Sequence, residues 1–81
     1  MIKGYRNNLK AFRKQRRLTQ AQISQLINCS RSYYTLVEQG KRNPTQEFWE
    51  EIQYVFMISD QDMWSLMLRD CELEDVINEN E

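Results

Sequence analysis

The segment from Ser30 to Pro44, SRSYYTLVEQGKRNP, concentrates the side chains whose types and spacing point most clearly to chemistry. An arginine and several hydroxyl groups precede a glycine, and a Lys-Arg-Asn triplet follows it directly. Arginine and lysine donate hydrogen bonds to phosphate oxygens, and arginine can form two parallel hydrogen bonds to a guanine edge. These groups are typical of a polyanion-binding surface.

The overall charge argues against such a surface until it is divided along the chain. The 81 residues carry a net charge of −1, and the pI is near 5.5. Residues 1–45 hold ten basic residues against one acidic residue, net +9, whereas residues 46–81 hold one basic against eleven acidic, net −10. Separate charge blocks indicate that one half meets a polyanion while the other faces elsewhere. Attraction between the halves is also expected, but it does not explain the cluster RKQRR before a helix start.

Composition argues against several function classes. The chain has no histidine, no phosphate-binding glycine loop and no nucleophile paired with a base, so we expect no enzyme, metal site or cofactor. Cys29 and Cys71 lack metal-ligand spacing and are expected as apolar residues in a reducing compartment. Without an apolar run of membrane-spanning length or a signal sequence, a cytoplasmic protein with no membrane partner is expected.

The elements that must position the basic groups are predicted to be helices. Two glycines and one proline in 81 residues favour helices joined by short turns. Apolar residues recur at helical spacing in five segments, which predicts an all-α fold with one core. The expected N-caps of the five helices are, in order, Asn7 or Asn8, Thr19, Ser30, Thr45, and Ser59 or Asp60.

The second and third helices carry the sharpest local signals. Thr19 and Gln22, in TQAQ, form a capping-box pattern, and Ile23, Leu26 and Ile27 then fall on one face. A turn of about three residues, 28–30, separates this helix from the next. This spacing is typical of a helix-turn-helix, in which the second helix enters the DNA major groove.

From Leu9 to about Phe56, through LKAFRKQRRLTQ, SRSYYTLVEQGKRNP and a following apolar helix, the chain resembles the Cro and phage-repressor-type (XRE-like) helix-turn-helix regulators. The resemblance implies a compact five-helix bundle whose third helix, about residues 30–39, reads double-stranded DNA. It also implies a transcriptional regulator such as a repressor. The small size is like that of phage or mobile-element regulators.

The resemblance assigns roles to individual positions. The family often has glycine where Arg17 and Asn28 stand, and Arg17 is expected to add a phosphate contact. Tyr33 either packs against the core or contacts phosphate. The resemblance implies base contacts by Arg31, Ser32, Thr35 and Leu36, phosphate contacts by Gln20, Lys41, Arg42 and Asn43, and a structural ion pair between Arg13 and Glu38.

The fifth helix predicts a second surface. Met63 and Met67 fall on one face, and Trp64 and Leu68 on another, so we expect Trp64 and Leu68 to form a homodimer contact. Alternatively, residues 72–81 fold back over one of these faces.

The acidic half of the chain bears on the domain boundaries and on an alternative function. We expect a DNA-binding domain over residues 1–70 and an acidic extension or tail over 71–81, with the acids placed far from the DNA. The alternative is a protein-interaction module, such as an antitoxin or adaptor, whose acidic C-terminal half binds a partner.

Overall fold

Five α-helices make up the regular structure in the computed structural model, which describes residues 4–69. They are α1 (Asn7–Gln15), α2 (Gln20–Leu26), α3 (Arg31–Glu38), α4 (Gln46–Phe56) and α5 (Asp60–Met67). No strand occurs within the described residues. The prediction of an all-α five-helix bundle containing a helix-turn-helix at α2 and α3 is confirmed. The predicted acidic extension, 71–81, lies outside the described residues.

Side-chain caps fix the starts of α2, α3 and α5, as the sequence predicts. Thr19 Oγ1 accepts a hydrogen bond from the Gln22 backbone N–H at 3.0 Å, and Gln22 Oε1 accepts one from the Thr19 backbone N–H at 2.8 Å. Ser30 and Ser59 each accept from the third residue of their own helix. Each bond satisfies a backbone donor that has no partner inside the helix, which favours helix formation by about 1 kcal/mol per cap.

The starts of α1 and α4 do not rely on side-chain caps. The N-cap of α1 is Arg6, so the prediction of Asn7 or Asn8 is wrong. The Arg6 backbone N–H instead donates to the Glu38 carbonyl oxygen at 2.8 Å, so a contact with the end of α3 sets where α1 begins. Thr45 is the N-cap of α4, as predicted, but without a side-chain hydrogen bond.

The apolar core draws on all five helices and holds α3 against the rest of the domain. Two residues that fall on apolar helix faces in the sequence are exposed: Leu26 is 48% exposed and Met67 is 39% exposed. Burial contributes about 25 cal/mol for each Å² of apolar surface removed from water. The core residues are Leu9, Ile23, Ile27, Tyr34, Val37, Phe48, Trp49, Ile52, Met63 and Leu66.

Left-handed backbone conformations follow the ends of α1, α2 and α3. Arg17 and Asn28 have φ of 58° and 61°, which explains why the resembled family often has glycine at both positions. Gly40 has φ of 76°, and a Cβ there would overlap the Gly4 carbonyl oxygen. Glycine is therefore required at 40 by both conformation and space, and it lets the chain turn sharply into Lys41.

Candidate nucleic-acid interface

The α2–α3 unit is built around a close approach of the two helices. Ser24 is only 3% exposed, and its hydroxyl donates to the Ala21 carbonyl oxygen at 2.8 Å, so this small side chain is buried with its hydrogen bond satisfied inside α2. Asn28 then takes the left-handed turn, and the Cys29 backbone N–H returns to the Ser24 carbonyl oxygen at 2.9 Å. The turn thus directs the chain into Ser30, the N-cap of α3.

A buried ionic network braces the far end of α3. Arg13 Nε donates to Glu38 Oε2 at 2.9 Å and Arg13 Nη2 donates to Glu38 Oε1 at 3.2 Å, which makes a bidentate ion pair between α1 and α3. The Tyr34 hydroxyl donates to Glu38 Oε2 at 2.7 Å, and Gln20 Nε2 donates to Glu38 Oε1 at 2.9 Å. The one acidic residue of the basic half therefore ties α1, α2 and α3 together at a single carboxylate.

The protonation of this network follows from its contacts. Burial alone would raise the pKa of the Glu38 carboxyl, but hydrogen bonds from Arg13, Tyr34 and Gln20 outweigh burial and hold that pKa below its ordinary value. The hydrogen bond to Glu38 raises the pKa of Arg13, and burial raises the pKa of the Tyr34 hydroxyl. Glu38 is therefore a carboxylate at neutral pH, and Arg13 is a paired cation that is not available to DNA.

Gln20 connects this brace to the outer face of α3. Its Oε1 accepts a hydrogen bond from the Thr35 hydroxyl at 3.0 Å, while its Nε2 donates to Glu38. One N–H of the amide and the backbone N–H at the start of α2 remain for an anion. Thr35 has committed its hydroxyl proton to Gln20, so toward a base edge it offers a methyl group and an acceptor, not a donor.

The start of α3 presents its polar side chains to solvent. Arg31 and Ser32 are exposed, and Leu36, one turn later, is partly exposed. Arg17 and Arg31 line the same open depression, about 510 Å³ in volume, into which Lys14 also faces. The fold thus brings α1, the α1–α2 turn and α3 together as one basic surface, with Gln20 among its lining residues.

Tyr33 lies at the border between this surface and the core. It is half-buried, and its ring meets the Phe48 ring edge-on with centroids 5.8 Å apart. The Arg42 guanidinium carbon lies 5.5 Å from the Tyr33 ring centroid, within cation–π range. Of the two roles expected for Tyr33, the geometry supports packing, and it adds a support for Arg42.

The loop after Gly40 carries a second group of exposed polar side chains. Lys41, Arg42 and Asn43 are all exposed. The Lys41 backbone N–H returns to the Leu36 carbonyl oxygen at 2.9 Å, which joins the loop to the last turn of α3. The loop and α3 are therefore joined by a backbone hydrogen bond.

Arg6 is the functional-site neighbour that sequence reasoning missed. It is only 4% exposed, and its guanidinium donates to oxygens of the loop residues Arg42 and Asn43. In the sequence it stood among the basic residues of the +9 half. The last carbonyl groups of a helix need hydrogen-bond donors from outside the helix. The sequence does not indicate which distant residue donates to the last carbonyl groups of α3.

The chain leaves α5 close to the same loop. Arg69 Nη1 donates to the Gly40 carbonyl oxygen at 3.3 Å. Residues 70–81, with six acidic and no basic residues, lie outside the described residues. The expectation that the acids lie far from the DNA stays a prediction.

Of the predicted dimer residues, Trp64 lies on α5, and Leu68 is the C-cap residue that follows it. Trp64 is 71% exposed and Leu68 is 53% exposed, whereas Met63 and Leu66 of the same segment are buried. The exposed pair is accessible for a protein contact. Within residues 4–69, no helix is long and apolar enough to cross a membrane, and no group of three metal-ligating side chains occurs.

A comparison with family models identifies the class. The helix-turn-helix domain model matches residues 6–62, well over half of the chain, so the protein belongs to the helix-turn-helix domain family. The resemblance noted from the sequence is consistent with this membership. Helix-turn-helix domains bind DNA through their second helix, so DNA binding is the activity that the family implies. Neither the curated proteins nor the solved structures contain a significant match to this chain.

Proposed function

We propose that the protein is a sequence-specific transcriptional regulator that binds double-stranded DNA by inserting α3 into the major groove. The observation that carries the proposal is the position of Arg31 and Ser32. They are exposed at the N-terminal end of a helix whose other end is locked by the Arg13–Glu38 ion pair. Residues at this end of a recognition helix contact base edges in helix-turn-helix complexes.

The proposed contacts divide into reading and holding. Arg31 can donate to guanine O6 and N7, and the Leu36 side chain can contact a thymine methyl group. Arg17, with Gln20, and the loop of Lys41, Arg42 and Asn43 would contact phosphates on either side of α3. Phosphate contacts position the protein without reading the sequence, whereas base contacts discriminate.

Two alanine variants separate reading from holding. Arg31→Ala is expected to reduce discrimination at one base pair by about 1–3 kcal/mol and to relax base preference there. Lys41→Ala is expected to weaken binding to every duplex alike and to lower the slope of log affinity against log salt by about 1. The measurement is fluorescence anisotropy on a duplex panel. Equal loss on all sequences for Arg31→Ala would contradict the proposed reading role.

We also propose that the regulator acts as a homodimer through α5. The exposed Trp64 and Leu68 support this, since a partner surface would remove their apolar area from water. A two-fold dimer would place two recognition helices on half-sites about one helical turn apart. The contact would use residues outside the basic surface and leave it free for DNA.

Sedimentation analysis tests the dimer with a matched pair of variants. Trp64→Ala is expected to reduce the sedimenting mass to that of a monomer at micromolar concentration. Tyr54→Ala is the control, because Tyr54 is 82% exposed but lies on α4. A monomeric mass for the parent protein would refute the homodimer and would leave Trp64 available to a different protein partner, as in an antitoxin or adaptor.

A further inference from the structure

The most unusual buried group is the guanidinium of Arg6. Within the described residues it donates four hydrogen bonds, none of them to a carboxylate. Its acceptors are Val37 O at 2.7 Å, Arg42 O at 3.1 Å, Asn43 Oδ1 at 2.9 Å and Met67 O at 3.2 Å. Burial and the nearby charge of Arg69 lower the pKa of Arg6. Burying a cation without an anionic partner costs free energy. The hydrogen bonds of the Arg6 guanidinium must therefore offset that cost.

One contribution of Arg6 is to the end of the recognition helix. Val37 O is among the last carbonyls of α3, where the helix dipole is negative, and a cation there is favourable. The Arg6 backbone N–H also reaches Glu38 O at 2.8 Å. Side chain and backbone of one residue thus close the C-terminus of α3.

A second contribution is to the orientation of Asn43. A guanidinium can only donate hydrogen bonds, so the amide oxygen of Asn43 must face Arg6 Nη2. The amide nitrogen of Asn43, a donor, is then directed away from Arg6. Since Asn43 is exposed, this donor is available to an acceptor outside the protein. A phosphate oxygen requires such a donor.

We propose that Arg6 is a positioning residue for DNA binding, which sets the loop backbone at Arg42 and turns the Asn43 amide nitrogen toward a DNA phosphate. This inference rests on the proposed function. Arg6 itself is buried, so in this proposal it acts through the loop and not by contacting DNA. Its bond to Met67 O anchors the same guanidinium to the end of α5, so the loop is held against two helices.

A double-mutant cycle tests whether Arg6 acts through Asn43. Asn43→Ala is expected to weaken binding to the preferred duplex about tenfold or more, with little change in salt slope because the amide is neutral. Arg6→Lys keeps the charge but not the planar set of donors, and it is expected to cause a similar loss. In the Arg6→Lys protein, Asn43→Ala should then change affinity by less than about twofold.

Lys41→Ala serves as the matched control in the same background. Its side chain shows no bond to Arg6, so its effect should be the same in the parent and in Arg6→Lys, including the change of about 1 in salt slope. If the losses from Arg6→Lys and Asn43→Ala multiply, Arg6 does not act through Asn43 and the inference is overturned. If the parent protein shows no salt-dependent duplex binding, the proposed function fails, and the inference with it.

Asn43→Asp decides the question if Arg6→Lys does not fold. The carboxylate would still accept from Arg6, now as a charge-assisted bond, so the melting temperature is expected to rise by about 4 °C or more. DNA affinity should fall, because the donor is lost and a negative charge faces phosphate. A lower melting temperature would show that the Arg6–Asn43 contact is not maintained, and would overturn the inference.

Discussion

Replacing Glu38 by glutamine is expected to lower the free energy of unfolding by about 3–5 kcal/mol, the usual cost of removing one partner of a buried ion pair. The Glu38 side chain is 3% exposed, and its carboxylate accepts bonds from Arg13, Gln20 and Tyr34. Glutamine has nearly the same shape, so packing is kept. It turns one acceptor into a donor that faces other donors, and it leaves Arg13 buried without a counter-charge.

The size of this loss can be judged against the whole domain. The free energy of unfolding of natural proteins is about 0.05–0.15 kcal/mol per residue, which is roughly 4–12 kcal/mol for this chain length. The substitution would therefore remove a quarter or more of the stability and lower the melting temperature by about 12 °C or more. Urea denaturation followed by far-UV circular dichroism measures the free energy of unfolding of each variant. Glu47→Gln, at an exposed position on α4, should change stability by less than about 0.5 kcal/mol.

A loss below about 1 kcal/mol for Glu38→Gln would refute the account of the brace. A loss that small is the size expected for an ion pair exposed to solvent, not for a buried ion pair. The orientation of α3 would then have to come from the apolar contacts of Tyr34 and Val37. In that case DNA binding should also survive the substitution, which the same protein samples can show.

Further outcomes follow from pKa, backbone strain and charge. Because the pKa of Glu38 is lowered on folding, its stabilisation is full above about pH 4.3 and is lost as pH falls through the folded value; Glu38→Gln should flatten the acid limb of stability against pH. Arg17→Gly should raise stability by up to about 1 kcal/mol, since φ is 58°, while weakening DNA binding. Replacing the six acids of residues 70–81 by amides removes negative charge that repels phosphate, so it should tighten DNA binding at low salt, an effect that disappears as screening increases; unchanged affinity at low salt would contradict it.

Local signals in the sequence predicted the helices because the capping interactions are themselves local. The Thr19–Gln22 box and the Ser30 cap join residues three apart, so their geometry is readable from spacing. The predicted start of α1 was wrong because the contact that determines it is remote in sequence. The Arg6 backbone N–H donates to the carbonyl oxygen of Glu38, 32 positions later. No periodicity reports a contact of that kind.

The candidate site was predictable in composition but not in its internal bonds. A charge count treats every arginine alike, yet Arg6 and Arg13 are buried, whereas Arg17 and Arg31 are exposed. The +9 of the basic half therefore overstates the charge that can meet a polyanion. Thr35 was expected to contact a base edge, and its hydrogen bond to Gln20 limits which base groups it can bind. Such limits depend on which side chains share a partner, and only the folded arrangement fixes that.

Sequence-specific DNA binding is tested by selection of a preferred duplex from a random pool, followed by affinity measurements over a salt series. Neutralisation of phosphates by Arg17, Lys41 and Arg42 predicts a slope of about −2.7 per protomer in log affinity against log salt. The preferred duplex should also bind at least about 10³-fold more tightly than random DNA. Contradiction would come from a pool in which no sequence binds better than random DNA at moderate salt.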